Sequence, residues 1–196
     1  ARGDEQVRPA SDRPWRALRV GDRLAPGARL RTGDYGLAAL VFQDATQVRV
    51  HPDSVLAVEG VRGVGGAATT AMALERGSLW ARALTGVLRR VTAVVGAERR
   101  PPAVTVRTVT ATIGIRGTDW HVRAVPDGPT LLTVLDGEAE LRNDLGRVRV
   151  RRGEVGVAEP GRPPVKRVLV DVRDRPLMVL DLTLRWFDWL HLTPGA

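Results

Sequence analysis

Short apolar runs separated by turn residues are the feature that most limits the folds open to this chain. The runs at 37–42, 47–50 and 130–135 are too short for stable helices, and glycine, proline or aspartate residues bound them. Such runs recur about every 8–12 residues, a spacing typical of all-β domains. The sequence therefore predicts an all-β fold, either an antiparallel sandwich or a solenoid-like stack of short strands, with little helix.

Two segments carry patterns that would contradict the all-β prediction. Residues 67–76 are rich in alanine and are the one serious helix candidate. Residues 63–68 fit the pattern G-x-G-x-x-A, which occurs in dinucleotide-binding folds. Such a fold needs alternating strands and helices, whereas the chain around this segment is rich in strands. We therefore interpret residues 63–68 as a hairpin loop.

Changes in composition divide the chain into three parts. Residues 1–20 are polar and charged and are interpreted as a lead-in segment. Residues 21–160 carry the regular strand pattern and form the main β domain. A Gly-Arg-Pro-Pro linker signal opens residues 161–196, which are predicted to form a C-terminal β extension with an aromatic tail.

The charge balance favours anionic partners. The net charge is +8 and the sequence pI is about 11.3, with arginine supplying nearly all of the positive charge. Strict alternation at 147–151 places Arg147, Arg149 and Arg151 on one face of a predicted strand. This arginine stripe is a candidate binding site for an anionic envelope polymer, and a solvated strand face is the alternative. Nucleic acid is an unlikely partner because no aromatic residues interleave with these charges.

The residues that carry catalytic or metal chemistry are few and scattered. Ser11, Ser54 and Ser78 are the only serines, and none lies in a G-x-S-x-G elbow. The three histidines lack the spacing of a helical metal site, and the chain has no cysteine. Glu138 and Glu140 share a strand face that is expected to be solvated. We therefore predict no catalytic residue, no metal and no cofactor, and no apolar run is long enough to form a transmembrane helix.

A longer pattern surrounds the string Gly-Ile-Arg-Gly-Thr-Asp-Trp at 114–120. It begins with Gly-Asp-x-Leu-x-x-Gly-x-x-Leu-x-Thr-Gly at 21–33 and continues through 130–137 to Arg-Gly-Glu at 152–154. Together these stretches resemble the FecR domain, a family of extracytoplasmic β-rich modules, over roughly residues 21–160. Two departures are Ala45, where the family often has glycine, and Val109, where proline is common.

Most residues of the central motif are expected to be structural. Glycines permit tight bends, the Arg116 guanidinium can tie down carbonyls or a carboxylate, and Trp120 is a large apolar anchor. Direct ligand binding by Arg116 is the alternative. The residues assigned to this structural motif are Gly114, Arg116, Gly117, Thr118, Asp119 and Trp120.

The aromatic tail is the candidate partner-binding site. Trp186, Phe187, Trp189 and Leu190 combine the residue types that anchor protein interfaces. They would bind a protein partner or a second copy, with a sheet edge adding to a neighbour's sheet. The alternative is that these residues cap the domain's own core.

The resemblance implies a signalling or scaffold role in the periplasm or outside the cell. The first hypothesis is a non-enzymatic scaffold or assembly subunit that binds protein partners. The second is the periplasmic sensor part of a transmembrane sigma-factor regulator. The start at Ala1 rather than methionine is expected if a signal peptide has been cleaved, and a cloning boundary is the alternative.

Overall fold

A computed structural model describes residues 4–43, 46–64, 67–82, 104–116 and 119–168. These residues contain strands and no helix, so the all-β prediction is confirmed. The strands are β1 Gln6–Arg8, β2 Arg16–Ala17, β3 Arg29–Arg31, β4 Ala38–Val41, β5 Gln47–Val50, β6 Val55–Val64, β7 Ala67–Arg82, β8 Val104–Arg107, β9 Thr112–Ile115, β10 Asp119–Ala124, β11 Thr130–Asp136, β12 Glu138–Asn143, β13 Gly146–Arg151, β14 Glu154–Ala158 and β15 Val165–Val168.

The strands form one continuous sheet, antiparallel except where β7 pairs with β8. Strand β7 is shared by two halves of the sheet. The first half has the order β2-β1-β3-β6-β7-β8-β9-β12-β13, and the second has the order β4-β5-β7-β10-β11-β14-β15. The N-terminal part of β7 pairs with β6 and β8, and its C-terminal part pairs with β5 and β10.

The helix candidate at residues 67–76 is a strand, because this segment is the first part of β7. Alanine favours a helix only weakly, by less than about 1 kcal/mol per residue over most other residues. Pairing with β6 on one side and β8 on the other outweighs that preference. A hairpin does lie at residues 63–68, but its loop is shorter than predicted, because Gly63 pairs with Ala68 and Val64 with Ala67.

A bulge and a glycine bend β7 between the two halves. In the first half Met72 and Leu74 point into the core, whereas in the second half Leu79 and Ala81 do so. Side chains alternate with a period of two, so this change from even to odd positions requires one extra residue. The register shift opposite Val55 and Leu56 supplies it, and Gly77 follows with φ of +88°.

The core lies between the two halves and draws on both. Trp120 of β10 is fully buried and is the largest of these side chains. Around it lie aliphatic residues from the first half, such as Leu56, Ile113 and Leu141, and from the second, such as Leu132. Burying each of these aliphatic side chains stabilises the fold by roughly 1.5–3 kcal/mol.

The N-terminal residues interpreted as a lead-in contribute two strands to the first half. Strand β1 pairs with β2 and β3, and Val7 at its centre is fully buried. Just before β1, Glu5 is 3% exposed, and its Oε1 accepts a hydrogen bond of 2.9 Å from the Leu37 amide.

Of residues 161–196, the structure describes 161–168, and these include strand β15, which pairs with β14. Residues 169–196 lie outside the described residues. Among the described residues, no helix has the length and apolar character needed to span a membrane.

Candidate protein-binding surfaces

The central motif joins the two halves of the sheet. Its first residues end β9 in the first half, where Gly114 lies opposite Thr105 and Glu140. Its last residues, Asp119 and Trp120, begin β10 in the second half. The backbone amide of Arg116 donates a hydrogen bond of 3.0 Å to the Glu138 carbonyl, and its side chain is exposed. Gly117 and Thr118 lie outside the described residues.

Asp119 and Trp120, at the end of the central motif, point to opposite faces of the second half of the sheet. Trp120 points into the core, between Ala81 on β7 and Val134 on β11. Among the described residues its indole nitrogen has no hydrogen-bond partner. Asp119 points to the other face, where its Oδ1 accepts a hydrogen bond of 2.6 Å from the indole Nε1 of Trp80.

Burial perturbs the Asp119 carboxyl. Loss of solvent raises the pKa of Asp119 above its ordinary value, and the nearby Asp136 carboxylate also raises it. The Trp80 hydrogen bond and the Arg82 guanidinium lower the pKa in part. The net rise means that this carboxylate is less stable at its position than it would be in water.

Trp80 is surrounded by polar residues on the same face. The His51 and His121 rings lie 5.5 Å apart between centroids, and His51 Nδ1 is 3.0 Å from the Ser78 hydroxyl. We call His51, Ser78, Trp80, Asp119 and His121 the Trp80 cluster. Two of its members are well buried, with His51 and Trp80 each 7% exposed.

Hydrogen bonds next to the Trp80 cluster fasten the turn between β5 and β6 to the bend in β7. The Ser54 hydroxyl accepts from the Ser78 amide at 2.9 Å and lies 3.1 Å from the Ser78 carbonyl. The Thr32 hydroxyl donates to the His51 carbonyl at 2.6 Å and accepts from the Ser54 amide at 3.0 Å. Gly77 lies directly under this turn, because a Cβ there would be 2.5 Å from Ser54 Cα. The polar residues therefore stabilise a sharp local geometry.

The histidines were expected to be scattered, and the fold brings two of them together. The part of the chain that the structure describes contains no group of three or more histidine, cysteine or acidic residues able to hold a metal ion. His51 and Ser78 are in contact, but both belong to the hydrogen-bonded turn and bend described above.

The arginine stripe lies on β13 as predicted from its alternation. Arg147, Arg149 and Arg151 are exposed, whereas Val150 is fully buried. Pairing with β12 sets Arg151 opposite Glu138, Arg149 opposite Glu140 and Arg147 opposite Arg142. Directly opposite residues have Cβ atoms about 4.5–5.5 Å apart, so two of the three arginines face a carboxylate. The uncompensated positive charge lies at the Arg147 end.

The described sheet has four edge strands, and one of them differs in its charge. Strand β2 carries Arg16, β13 carries the arginine stripe, and β15 carries Lys166 and Arg167. Strand β4 has the sequence Ala-Ala-Leu-Val and carries no charge. Charged side chains on an edge discourage pairing with another chain, so β4 is the edge without that protection.

A groove of about 620 Å³, lined by both polar and apolar residues, lies beside the β4 edge. Residues of β4 and the two residues after it line the groove, together with residues that precede β3 and two residues of β6. Its lining residues are Asp22, Arg23, Leu24, Pro26, Ala39, Leu40, Val41, Phe42, Gln43, Val58 and Gly60. The groove brings together two stretches of the sequence that belong to different halves of the sheet.

Sequence reasoning did not single out Trp80 or the β4 edge. The one available signal for Trp80 was its alternation with Leu79 and Ala81. Its partner Asp119 could be identified only after the pairing of β7 with β10 was known. The predicted partner-binding residues Trp186, Phe187, Trp189 and Leu190 lie outside the described residues.

No curated protein matches the sequence. Two crystal structures, at 2.50 and 1.65 Å resolution, of a protein from Parabacteroides distasonis predicted to be an anti-sigma factor have a similar fold. Each has 16% sequence identity and a TM-score of 0.53 over 71% of this chain and 59% of the other. The chain thus spans about three fifths of the length of these proteins.

The family comparison agrees with the fold. The model of the family described as FecR protein matches residues 28–140. This range begins one residue before β3 and ends within β12. This range includes the central motif, the Trp80 cluster and the β4 edge, and it covers more than half of the chain. The chain belongs to the FecR family.

Proposed function

We propose that this chain is a non-enzymatic, extracytoplasmic module that transmits a signal by binding protein partners, as the periplasmic sensor part of a transmembrane sigma-factor regulator. The observation that carries the proposal is the FecR family match over residues 28–140. The fold shared with a protein predicted to be an anti-sigma factor supports it. The same likeness favours this role over the scaffold or assembly role that was the first hypothesis from sequence.

The chemistry of the described residues supports binding rather than catalysis. The Ser78 hydroxyl and His51, which together could suggest a nucleophile and its base, lie in a network that fastens a turn to the bend in β7. The Asp119 carboxylate is engaged by the Trp80 indole. These polar groups have structural partners, and the exposed features are a charged stripe, an uncharged strand edge and a groove of mixed polarity.

Two further partner sites remain proposals. The C-terminal residues Trp186, Phe187, Trp189 and Leu190 would contribute a protein-binding or self-assembly surface, since tryptophan is enriched at interface anchors. The arginine stripe would hold an anionic envelope polymer, because the whole chain carries a net charge of +8.

Compartment can be tested directly because the chain has no cysteine. The substitution Val20→Cys introduces a single thiol at a residue that is 91% exposed. We expect a membrane-impermeant maleimide to label it in cells whose cytoplasmic membrane is intact. The control Val122→Cys, at a fully buried residue, should react only after denaturation. Labelling of Val20→Cys only after lysis of the cytoplasmic membrane would contradict the extracytoplasmic assignment.

The regulatory role needs a transcriptional readout. The gene that encodes the chain would be deleted in its own host and the transcripts compared with those of the parent strain. A sensor part of a regulator predicts altered transcription of a defined set of promoters, restored when the gene is returned. Unchanged transcription together with the loss of an envelope assembly would support the scaffold role instead.

A further inference from the structure

The β4 edge has backbone groups that point away from the sheet. The Phe42 amide donates to the Thr46 carbonyl at 2.9 Å, and Phe42 lies opposite Thr46 in the ladder. Hydrogen-bonded pairs alternate along an antiparallel ladder, so Leu40 and Ala38 also bond to β5. The amides and carbonyls of Ala39 and Val41 therefore face outward. Strand β4 pairs with β5 alone among the described strands.

At the N-terminal end of the β4 edge, the outward backbone amide is bound by the Glu5 side chain. The Leu37 amide, two residues before Ala39, also points outward and donates to the buried Glu5 carboxylate at 2.9 Å. The open stretch therefore runs from Ala39 to Val41 and continues toward Gln43. One added strand of about five residues could pair along a stretch of this length.

The groove offers apolar contacts to the side chains of such a strand. Leu40 and Phe42 pack partly against the core, and Val58 of β6 also lines the groove. On the outer face Val41 is 72% exposed. Side chains of an added strand alternate between these two faces, so apolar residues at alternate positions would be buried in the groove.

The charges around the groove favour a partner rather than a second copy. Asp22 accepts two hydrogen bonds from the Arg16 guanidinium, at 2.7 and 3.0 Å, and is thereby neutralised. Arg23 is exposed and has no ion pair with the described residues. A second copy would bring a net charge of +8 against +8, whereas an acidic segment would meet Arg23 with the opposite charge.

We propose that the β4 edge and its groove form a strand-addition site for an extended, apolar segment flanked by acidic residues in a partner protein. This proposal rests on the proposed function, since it names the surface through which the regulator would contact its partner. Main-chain hydrogen bonds to Ala39 and Val41 give affinity, and the groove and Arg23 give specificity.

The test uses the full chain and a synthetic probe. The probe is a capped, fluorescent peptide of alternating valine and threonine with glutamates at both ends, and its twin carries lysines instead. We expect the glutamate peptide to bind at least about tenfold more tightly than the lysine twin, by fluorescence anisotropy. No binding of the glutamate peptide at about 1 mM would overturn the proposal.

Two substitutions identify the surface. Ala39→Pro removes an outward amide and leaves the ladder to β5, because proline is tolerated on the free side of an edge strand. Val41→Glu adds to the edge a charge that repels the glutamates of the peptide, without touching the core. Each should weaken binding of the glutamate peptide by about tenfold or more with an unchanged melting temperature. The matched control Val109→Glu, at a residue 73% exposed, should bind like the parent chain.

Two other occupants of the β4 edge, a second copy and the chain's own C-terminal segment, would be recognised by the following results. Either result would overturn the assignment to a partner segment. A molar mass that rises with protein concentration, and that Ala39→Pro abolishes, would identify a second copy. Tighter binding of a peptide with the sequence of residues 177–190 would identify the chain's own C-terminal segment. Failure of the peptide test with intact transcriptional regulation would remove this site and leave the proposed function in place.

Discussion

The indole Nε1 of Trp80 donates a hydrogen bond of 2.6 Å to Oδ1 of Asp119, across neighbouring strands of the second half of the sheet. Trp80 is 7% exposed, so the indole N–H has little access to water. Buried donors are costly when they lack an acceptor. The aspartate of the central motif therefore has a structural task that the sequence pattern does not reveal.

Removing the acceptor should destabilise the protein. In Asp119→Ala the Trp80 N–H loses its acceptor, and we expect the free energy of unfolding to fall by about 1–3 kcal/mol. Asp119→Asn keeps a carbonyl oxygen and serves as the matched control with a smaller loss. Urea unfolding followed by circular dichroism measures both values. Equal losses for the two variants would show that the oxygen acceptor is unimportant.

The pH dependence of stability follows from the raised pKa of Asp119. The carboxyl binds its proton more tightly in the folded state than in the unfolded state. The associated stability is therefore present below the unfolded pKa and is lost as pH rises through the folded pKa. The stability of Asp119→Asn relative to the parent chain should therefore increase as the pH rises from about 3 to about 7, the range in which aspartates titrate. Melting temperatures of both proteins across this range measure the difference, and parallel curves would contradict it.

Two glycines with the same backbone conformation allow the cost of a positive φ to be measured apart from the cost of a steric clash. Gly77 has φ of +88° and Gly21 has φ of +87°, but a Cβ at Gly77 would be 2.5 Å from Ser54 Cα. A Cβ at Gly21 would have nothing within 4 Å. Gly21→Ala should cost about 1–2 kcal/mol from the positive φ alone. Gly77→Ala should cost distinctly more, because backbone must move, and chemical denaturation of the two variants gives the comparison.

Arg116→Ala tests the structural role assigned to the central motif. The Arg116 amide bonds to the Glu138 carbonyl, but the side chain is exposed, so the guanidinium role stays a prediction. We expect a lower melting temperature, with Arg142→Ala, at an exposed position of β12, as the control. An unchanged melting temperature together with lost partner binding would assign Arg116 to recognition instead.

The strands were predictable where one face is buried and the other is solvated. Residues 147–151 alternate because Val150 meets the core and Arg149 meets water, and this alternation is visible in the sequence. Residues 67–76 misled because Thr70, Ala71 and Met72 are buried in succession, which obscures the alternation and leaves alanine content as the local signal. Pairing between distant strands therefore overruled a weak local preference.

The Trp80 cluster was beyond sequence reasoning because its residues meet only through strand register. His51 follows β5, Trp80 lies in β7 and His121 lies in β10, and no local pattern links them. A register shift of one residue would move His121 to the opposite face and separate it from His51. The β4 edge was hidden for the same reason, since an edge is defined by the strand that is absent beside it among the described residues.

Binding by the arginine stripe should be uneven along β13. Arg147 lies opposite Arg142, whereas Arg149 and Arg151 lie opposite glutamates that compete with an anionic ligand. Arg147→Ala should therefore weaken binding to heparin, used as the probe, more than Arg151→Ala does. Arg123→Ala removes the same charge from an exposed strand position in the second half and is the control.

Stability provides a second readout at the same position. Arg147→Glu replaces a like-charge pair with an ion pair to Arg142 and should stabilise the chain by about 0.2–1 kcal/mol. Raising the salt concentration should weaken both this stabilisation and the binding of the parent chain to heparin, because exposed charges are screened. Equal heparin binding by the Arg147→Ala, Arg151→Ala and Arg123→Ala variants would show that net charge, rather than the stripe, attracts the polymer.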